Sequence, residues 1–159
     1  MNPDLPAPAQ ARQTRPRIVI DTNVCLDLFV FRDPRWASLM AALQSGAVEA
    51  VTRADCRQEW RMVLHYSHLP VTDETRPACN AEFDALITCL EAEALSPRPG
   101  IRLPICTDRD DQKFLELALG ANALTLITKD KALLKLARKT AKAGLFAIVA
   151  PQAWNPAGA

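Results

Sequence analysis

Short apolar runs alternate with amphipathic stretches along the chain from residue 17 onward. The run Ile18–Ile20 is β-branched throughout, which predicts a strand buried on both faces, as in a parallel sheet covered by helices. Further strands are predicted at Ala47–Val51, Ala123–Thr128 and Phe146–Val149. Because strands alternate with helices, we predict an α/β fold: a three-layer α/β/α sandwich whose parallel sheet has four or five strands in the order 3-2-1-4-5.

Apolar residues at helical spacing predict the elements between the strands. The predicted helices cover Val24–Phe31, Arg35–Gln44, Arg53–Leu69, Thr72–Glu93, a stretch beginning near Phe114, and Lys131–Lys142. The segment Ser96–Pro104 contains three prolines and a glycine, which predicts a loop. In the third helix the predicted apolar face consists of Cys56, Trp60, Met62, Val63 and Tyr66. Glu59 lies within that face.

Four acidic residues stand at positions that this topology brings together. Asp21 directly follows the first strand, and Asp130 follows the fourth strand of the predicted order. These strands are neighbours at the switch point of the sheet, where ligands bind outside the carboxyl ends of the strands. Asp111 opens the helix that leads into the fourth strand, and Glu59 faces inward from the helix after the second. We therefore predict that the four carboxylates converge on one crevice.

Most of these acids also have a simpler structural explanation. Asp21 and Asp130 are good N-cap residues for the helices that follow them, and for either residue alone capping is the favoured interpretation. The helix dipole favours acids in the first turn. This effect accounts for one or two of the acids Asp108, Asp110 and Asp111, but three together exceed what a helix start requires.

The acidic set becomes informative when its members are considered together. A carboxylate at Glu59 inside an apolar face needs a partner, and a salt bridge to a nearby arginine explains it as well as a metal ion does. Two unit charges about 4 Å apart interact by roughly 4 kcal/mol at an effective dielectric of about 20, so four converging carboxylates repel strongly. A divalent cation relieves this repulsion, and oxygen-only ligands favour Mg²⁺ or Mn²⁺ over zinc. Such ions could activate a water and stabilise the charge that builds on a phosphodiester.

The composition fits one ordinary globular domain. The chain has 159 residues, of which 49% are hydrophobic and 23% charged, with a net charge of +1. Five scattered cysteines indicate small core residues in a reducing compartment rather than a disulfide framework. No apolar run suits a membrane span or a secretory signal, so we expect a cytoplasmic location. Residues 1–16, rich in Pro, Ala and Gln, are expected to be a disordered leader, and residues 17–155 the folded domain.

Several short motifs occur in a fixed order from residue 17 onward. They are Val19–Val24, Glu59, Asp108–Phe114, Ile127–Asp130, Leu133–Leu134 and Pro151–Trp154. This ordered set resembles the PIN-domain family of metal-dependent ribonucleases, in particular the branch of toxins from bacterial toxin-antitoxin modules. The resemblance implies a PIN-like, Rossmann-like sheet order and an Mg²⁺- or Mn²⁺-dependent endoribonuclease that hydrolyses RNA phosphodiester bonds. It also implies a cognate antitoxin protein and a homodimer.

The resemblance implies a role for each matching position. The catalytic, metal-binding acids would be Asp21, Glu59, Asp111 and Asp130, holding one or two ions. Asp108 is an additional candidate ligand.

The remaining roles that the resemblance implies concern the surroundings of these acids. Asn23 and Thr128 are expected to orient neighbouring carboxylates through hydrogen bonds. At Lys129 the chain differs from many members of that family, so the resemblance leaves its role open between contact with a substrate phosphate and pairing with Asp108. Arg57, on the polar face of its helix, is a further candidate for phosphate contact.

Two other functions remain open from the sequence. A PIN-like module could bind RNA or a protein partner without cutting anything. A phosphoryl-accepting receiver or phosphatase also places an acid after a parallel strand, but Asp21-Thr22-Asn23 offers no second acid beside the first.

Overall fold

The computed structural model describes residues 15–156. Of the predicted leader, only Arg15 and Pro16 fall within this range, and its other residues lie outside the described part. Arg15 pairs with Glu49 across 3.6 Å, and the carbonyl of Pro16 accepts a hydrogen bond from the backbone N–H of Glu49 over 2.9 Å. These contacts hold the entry to the first strand against the second.

Five parallel strands form one sheet in the order β3-β2-β1-β4-β5, which confirms the predicted order and the α/β class. The strands are β1 (Arg17–Ile20), β2 (Glu49–Thr52), β3 (Ile87–Cys89), β4 (Thr125–Ile127) and β5 (Ala147–Val149). The central strand β1 pairs with β2 on one side and with β4 on the other, where Ile20 lies opposite Ile127. The carboxyl ends of β1 and β4 therefore lie side by side.

Helices cover both faces of the sheet. Within residues 15–156 they are α1 (Thr22–Phe29), α2 (Ala37–Ser45), α3 (Ala54–Val63), α4 (Arg76–Leu86), α5 (Gln112–Gly120), α6 (Lys131–Leu134) and α7 (Ala137–Lys142). Ile18 and Ile20 of β1 pack in a core with α1, α2 and α4, whereas Val19 packs in a second core with α5 and α6. Both faces of β1 are thus buried, which explains its unbroken β-branched sequence. None of these helices combines the length and apolar character that crossing a membrane requires.

The third strand lies where the sequence predicted a helix. The predicted helix Thr72–Glu93 is wrong in its last part, because α4 is followed at once by β3. Apolar residues at helical spacing, including Phe83 and Leu90, led to the longer helix. However, Ile87 and Thr88 are β-branched and pair with β2, and the backbone N–H of Leu90 continues the pairing with a 2.8 Å bond to the carbonyl of Thr52.

The helix predicted over Arg53–Leu69 ends at Val63, and its predicted apolar face is only partly correct. Trp60 is buried, but Met62 is 55% and Tyr66 50% exposed. Residues two positions apart on a helix do not share a face, so Met62 points away from the side of Trp60. Tyr66 lies beyond the end of the helix. Likewise, the last predicted helix is divided into α6 and α7.

Three aromatic side chains fix α1, α3 and α4 against one another. The ring of Phe29 meets those of Trp60 and Phe83 edge-on, with centroids 5.8 and 6.0 Å away, and the latter two rings stack at 4.8 Å. Trp60 Nε1 donates a 3.1 Å hydrogen bond to Asn80 Oδ1, so its polar atom is satisfied. This cluster fixes the position of α3, the helix that carries Glu59.

We expect Phe83→Ala to lower the free energy of unfolding by about 3–5 kcal/mol, because it removes a buried ring from the aromatic cluster and leaves a cavity. Urea denaturation followed by circular dichroism measures this loss. Phe31 is 51% exposed and provides the matched control, and Phe31→Ala should change the free energy of unfolding by less than about 0.5 kcal/mol. Equal losses for the two variants would contradict the assignment of the core.

Candidate active site

Asp21 stands directly after β1 and is only 4% exposed. Its backbone N–H continues the sheet pairing through a 2.9 Å bond to the carbonyl of Ile127. Its side chain makes no capping hydrogen bond to α1, so the capping explanation is wrong for this residue. Instead, Asp21 Oδ2 accepts a 2.6 Å hydrogen bond from Thr128 Oγ1. The carboxylate is therefore directed to the joint carboxyl end of β1 and β4.

Thr128 connects the two strand ends through its hydroxyl group. The residue is fully buried, and while Oγ1 donates to Asp21 it also accepts a 2.9 Å bond from the backbone N–H of Asp130. Asp130 in turn caps α6, because its Oδ1 accepts from the N–H of Ala132 over 2.9 Å. The capping explanation thus holds for Asp130, and the same carboxylate also belongs to the acidic group described next.

Three aspartates form the closest acidic group within residues 15–156. Each of Asp108, Asp111 and Asp130 offers a carboxylate oxygen, and these atoms lie within 4.8 Å of one another. Asp108 caps the 3₁₀ turn Arg109–Asp111 by accepting a 3.1 Å bond from the N–H of Asp110. Asp111 caps nothing, and its Oδ2 is buried without a hydrogen-bond partner among the described residues. The helix start therefore does not explain the position of Asp111.

The surroundings of the acids shift their pKa values in opposite directions. Burial raises the pKa of Asp21 to about 6, against the hydrogen bond from Thr128, and the charges of Glu59 and Asp130 raise it further. Burial also raises the pKa of Asp111, and the adjacent carboxylate of Asp130 raises it further. The proximity of Asp111 lowers the pKa of Asp130. The Asp111–Asp130 pair therefore holds a proton at pH values where an isolated aspartate has lost it.

Glu59 lies outside this close group, although its charge reaches Asp21. Its Oε2 accepts a hydrogen bond from the hydroxyl of Thr22. Its Oε1 pairs with Lys113 Nζ at 2.8 Å. The salt-bridge explanation was thus correct in kind, but the partner is a lysine on α5 rather than an arginine. The structure brings the four predicted acids to one end of the sheet while giving Glu59 separate partners.

Three predicted auxiliary residues have other surroundings. Asn23 makes no hydrogen bond to a carboxylate, and its Oδ1 is buried without a partner in the described part of the chain. Lys129 Nζ pairs with Asp27 at 2.8 Å and not with Asp108, since buried Asp27 offers a closer acid. Arg57 precedes Glu59 by two positions on α3, which directs it to a different side of the helix.

Sequence reasoning missed Thr22, Asp27 and Lys113. Thr22 lies in the same short motif as Asp21, but which of the neighbouring polar residues reaches Glu59 depends on the rotation of α1. A signal for Lys113 was present, because a lysine in the first turn of a helix opposes the helix dipole and calls for a nearby acid. No comparable signal in the sequence marked Asp27, because it occupies an ordinary helical position.

The donor set fits a hard divalent cation. The aspartate group offers only carboxylate oxygens, which suit Mg²⁺ or Mn²⁺ rather than zinc. A buried carboxylate oxygen without a partner, such as Asp111 Oδ2, is costly and uncommon. A cation would satisfy this oxygen and neutralise the repulsion with Asp130. These residues can therefore hold a metal ion, and the chemistry they suit is displacement at phosphate.

Comparisons with known proteins agree with this architecture. A family model described as a PIN domain matches residues 17–132. Among solved structures, the chain is similar to the crystal structure of VapBC2 from Rickettsia felis bound to a DNA fragment from their promoter, with a TM-score of 0.54 and 13% sequence identity. That match covers 84% of this chain and 98% of the other. At this identity the likeness concerns the fold alone. No curated protein sequence matches the chain.

The raised pKa of Asp21 gives a pH-dependent prediction. An acid whose pKa rises from 3.8 to about 6 on folding binds its proton more tightly in the native state, so the free energy of unfolding falls as pH rises from about 4 to 6 and stays lower above. This corresponds to about 3 kcal/mol. Asp21→Asn should therefore raise the free energy of unfolding at pH 7.5 by up to about 3 kcal/mol, with little effect at pH 4.

Urea denaturation at the two pH values, without divalent ions, measures the difference. Asp84→Asn is the matched control, because Asp84 is exposed on α4, 3.6 Å from Arg61. It should not show the same gain at pH 7.5. An Asp21→Asn variant equally destabilised at both pH values would contradict the assigned burial cost.

Thr128→Val tests the hydrogen bonds at the joint strand end. The substitution keeps the volume of the buried side chain but removes the donor to Asp21 and the acceptor for the N–H of Asp130. We expect the free energy of unfolding to fall by about 1–3 kcal/mol, because two buried polar groups lose their partner. Thr128→Ser retains the hydroxyl and should lose less. A Ser variant as unstable as the Val variant would indicate that packing, not hydrogen bonding, is decisive.

Proposed function

The chain belongs to the PIN-domain family, and on that premise we propose that it is a metal-dependent ribonuclease that hydrolyses RNA phosphodiester bonds. One observation carries the proposal: three aspartates bring carboxylate oxygens within 4.8 Å of one another, and one of these residues, Asp111, has a buried oxygen with no partner in residues 15–156. Such a group is unfavourable by itself and favourable around a divalent cation. Phosphodiester hydrolysis is a common use of this kind of site.

In the proposed site, Asp111 and Asp130 would hold Mg²⁺ or Mn²⁺, with Asp21 and Asp108 beside them. When bound, the ion supplies Lewis-acid stabilisation of the charge that develops on the phosphate. Thr128 keeps the Asp21 carboxylate in one orientation through its 2.6 Å bond. Hydrolysis adds the oxygen of water to phosphorus and releases a ribose hydroxyl, so the site must admit both water and a strand of RNA.

A cavity beside Lys129, the residue before Asp130, is the place proposed for part of the RNA strand. It has a volume of about 760 Å³ and is lined by Arg35, Trp36, Lys129, Leu134, Ala150 and Gln152. The ammonium of Lys129 has three donors, and its pairing with Asp27 at 2.8 Å leaves others for a phosphate. We therefore propose that Lys129, rather than Arg57 on another side of α3, contacts the substrate phosphate.

We further propose that the ribonuclease is the toxin of a toxin-antitoxin module with a cognate antitoxin protein. The similarity to VapBC2, a structure that also contains promoter DNA, supports a protein partner. A homodimer and a cytoplasmic location belong to the same proposal. Trp36 is 6% exposed and packs in the core, so it offers little surface for such a contact, whereas Met62 on α3 and Tyr66 just beyond its end are exposed.

Cleavage of a mixed-sequence RNA in the presence of Mn²⁺ tests the enzymatic proposal. The wild-type protein should cut the RNA, and chelation with EDTA should stop cleavage. Asp21→Asn and Asp111→Asn should each lower the rate by at least about 100-fold, because each removes a charge from the proposed ion site. The products are resolved by denaturing electrophoresis.

Asp110→Asn is the matched control for Asp111→Asn. Its side chain lies in the same acidic stretch but is exposed and outside the close group, so cleavage should be nearly unchanged. RNA binding without cleavage in the wild-type protein would favour the alternative, a catalytically silent RNA- or protein-binding PIN module. Equal cleavage by the wild-type and Asp111→Asn proteins would show that the activity does not come from this site.

A further inference from the structure

Within residues 15–156, Glu59 is the one predicted ligand that forms a salt bridge with a cationic side chain. Its two carboxylate oxygens are divided between two neighbours, the hydroxyl of Thr22 on α1 and the ammonium of Lys113 on α5. By contrast, Asp111 has a buried oxygen with no partner in the described part of the chain. The acids therefore differ: Glu59 is already neutralised by the protein, and the aspartates are not.

Lys113 is held firmly in its position beside Glu59. Its Nζ donates to Glu59 Oε1 at 2.8 Å and to the carbonyl of Asp110 at 2.6 Å. It also lies 5.4 Å from the ring centroid of Phe114, and its side chain is only 18% exposed. As the second residue of α5, Lys113 stands where the helix dipole disfavours a cation, so these contacts must compensate for that position.

The ammonium occupies the place that a cation at Glu59 would take. A divalent ion at Oε1 would be repelled by the ammonium of Lys113, unless it displaced Lys113, which would then lie unpaired beside a second positive charge. The Asp110 carbonyl would lose its donor in the same event. In the part of the chain that the structure describes, no lysine or arginine pairs with Asp108, Asp111 or Asp130, whose carboxylate oxygens lie within 4.8 Å of one another. The protein thus has one place for a cation at the aspartates and another that its own lysine already fills.

We propose that Lys113 replaces a second metal ion at Glu59, so that the chain binds a single divalent ion at its aspartates and Glu59 is not a ligand. This inference rests on the proposed function, because it concerns how many ions that site holds. In this arrangement Lys113 is a positioning residue: it fixes Glu59 and, through Asp110, the start of α5. The ammonium of Lys113 thus supplies the positive charge beside Glu59 that a second metal ion would otherwise supply.

Counting bound Mn²⁺ tests the proposal without any measurement of cleavage. Isothermal titration calorimetry and the electron paramagnetic resonance signal of free Mn²⁺ both give the number of ions per chain. We expect one ion for the wild-type protein. Glu59→Gln should still bind one ion, with affinity changed by less than about fivefold, because a charge that does not contact the ion acts weakly through solvent. Asp111→Asn should weaken binding by at least about tenfold.

Two variants at residue 113 complete the test. Lys113→Met frees Glu59 and should admit a second, weaker Mn²⁺ ion, whereas Lys113→Arg keeps a cation there and should bind one. Thermal melting followed by circular dichroism confirms that each variant is folded before the ions are counted. If Lys113→Met unfolds, the comparison of Glu59→Gln with Asp111→Asn decides alone.

Several results would overturn the single-ion proposal. These are two ions in the wild-type protein, loss of the ion in Glu59→Gln to the extent seen in Asp111→Asn, or a folded Lys113→Met that still binds one ion. A wild-type protein that binds no Mn²⁺ at all would instead overturn the proposed function itself and this inference with it.

Discussion

Repulsion among carboxylates at one end of the sheet is the constraint on which the rest of the structure depends. Burial and neighbouring charges raise the pKa of Asp21 and Asp111, so the fold holds these groups in places that disfavour their ionised forms. Hydrogen bonds from Thr128 to Asp21 and from Lys113 to Glu59 reduce the unfavourable free energy of holding these carboxylates close together. The arrangement is tolerated because the hydrophobic layers on both faces of the sheet supply the stability that the site lowers.

The sheet order converts distant sequence positions into neighbours. Because β1 and β4 are parallel and paired up to Ile20 and Ile127, the residues just after them emerge at the same level. The backbone N–H of Asp21 bonds to the carbonyl of Ile127, and Thr128 then lies within reach of the Asp21 side chain. The site is therefore built from the most rigid part of the domain, while α3 and α5 bring Glu59 and Lys113 to it.

The sequence was sufficient for features that depend on backbone pattern and insufficient for those that depend on side-chain direction. The buried run Ile18–Ile20 and the alternation of strands with helices predicted the sheet order correctly. The short strand beginning at Ile87 was not predicted, because the apolar residues before it also fit a helix. Likewise, the acids could be gathered at one edge from topology, but whether Lys129 meets Asp108 or Asp27 is decided by a few ångströms of helix placement. Periodicity does not contain that information.

The double use of Asp130 bears on how such a protein could change over evolutionary time. One carboxylate both starts α6, by accepting from the N–H of Ala132, and belongs to the acidic group. Asparagine or serine could still start the helix while removing the charge, whereas glutamate would keep the charge and fit the helix start poorly. Loss of chemistry at this position therefore does not require loss of the fold. Under the proposed function, a chain with asparagine or serine at position 130 would keep its fold and lose a charge from the ion site, so it could persist as a binding protein.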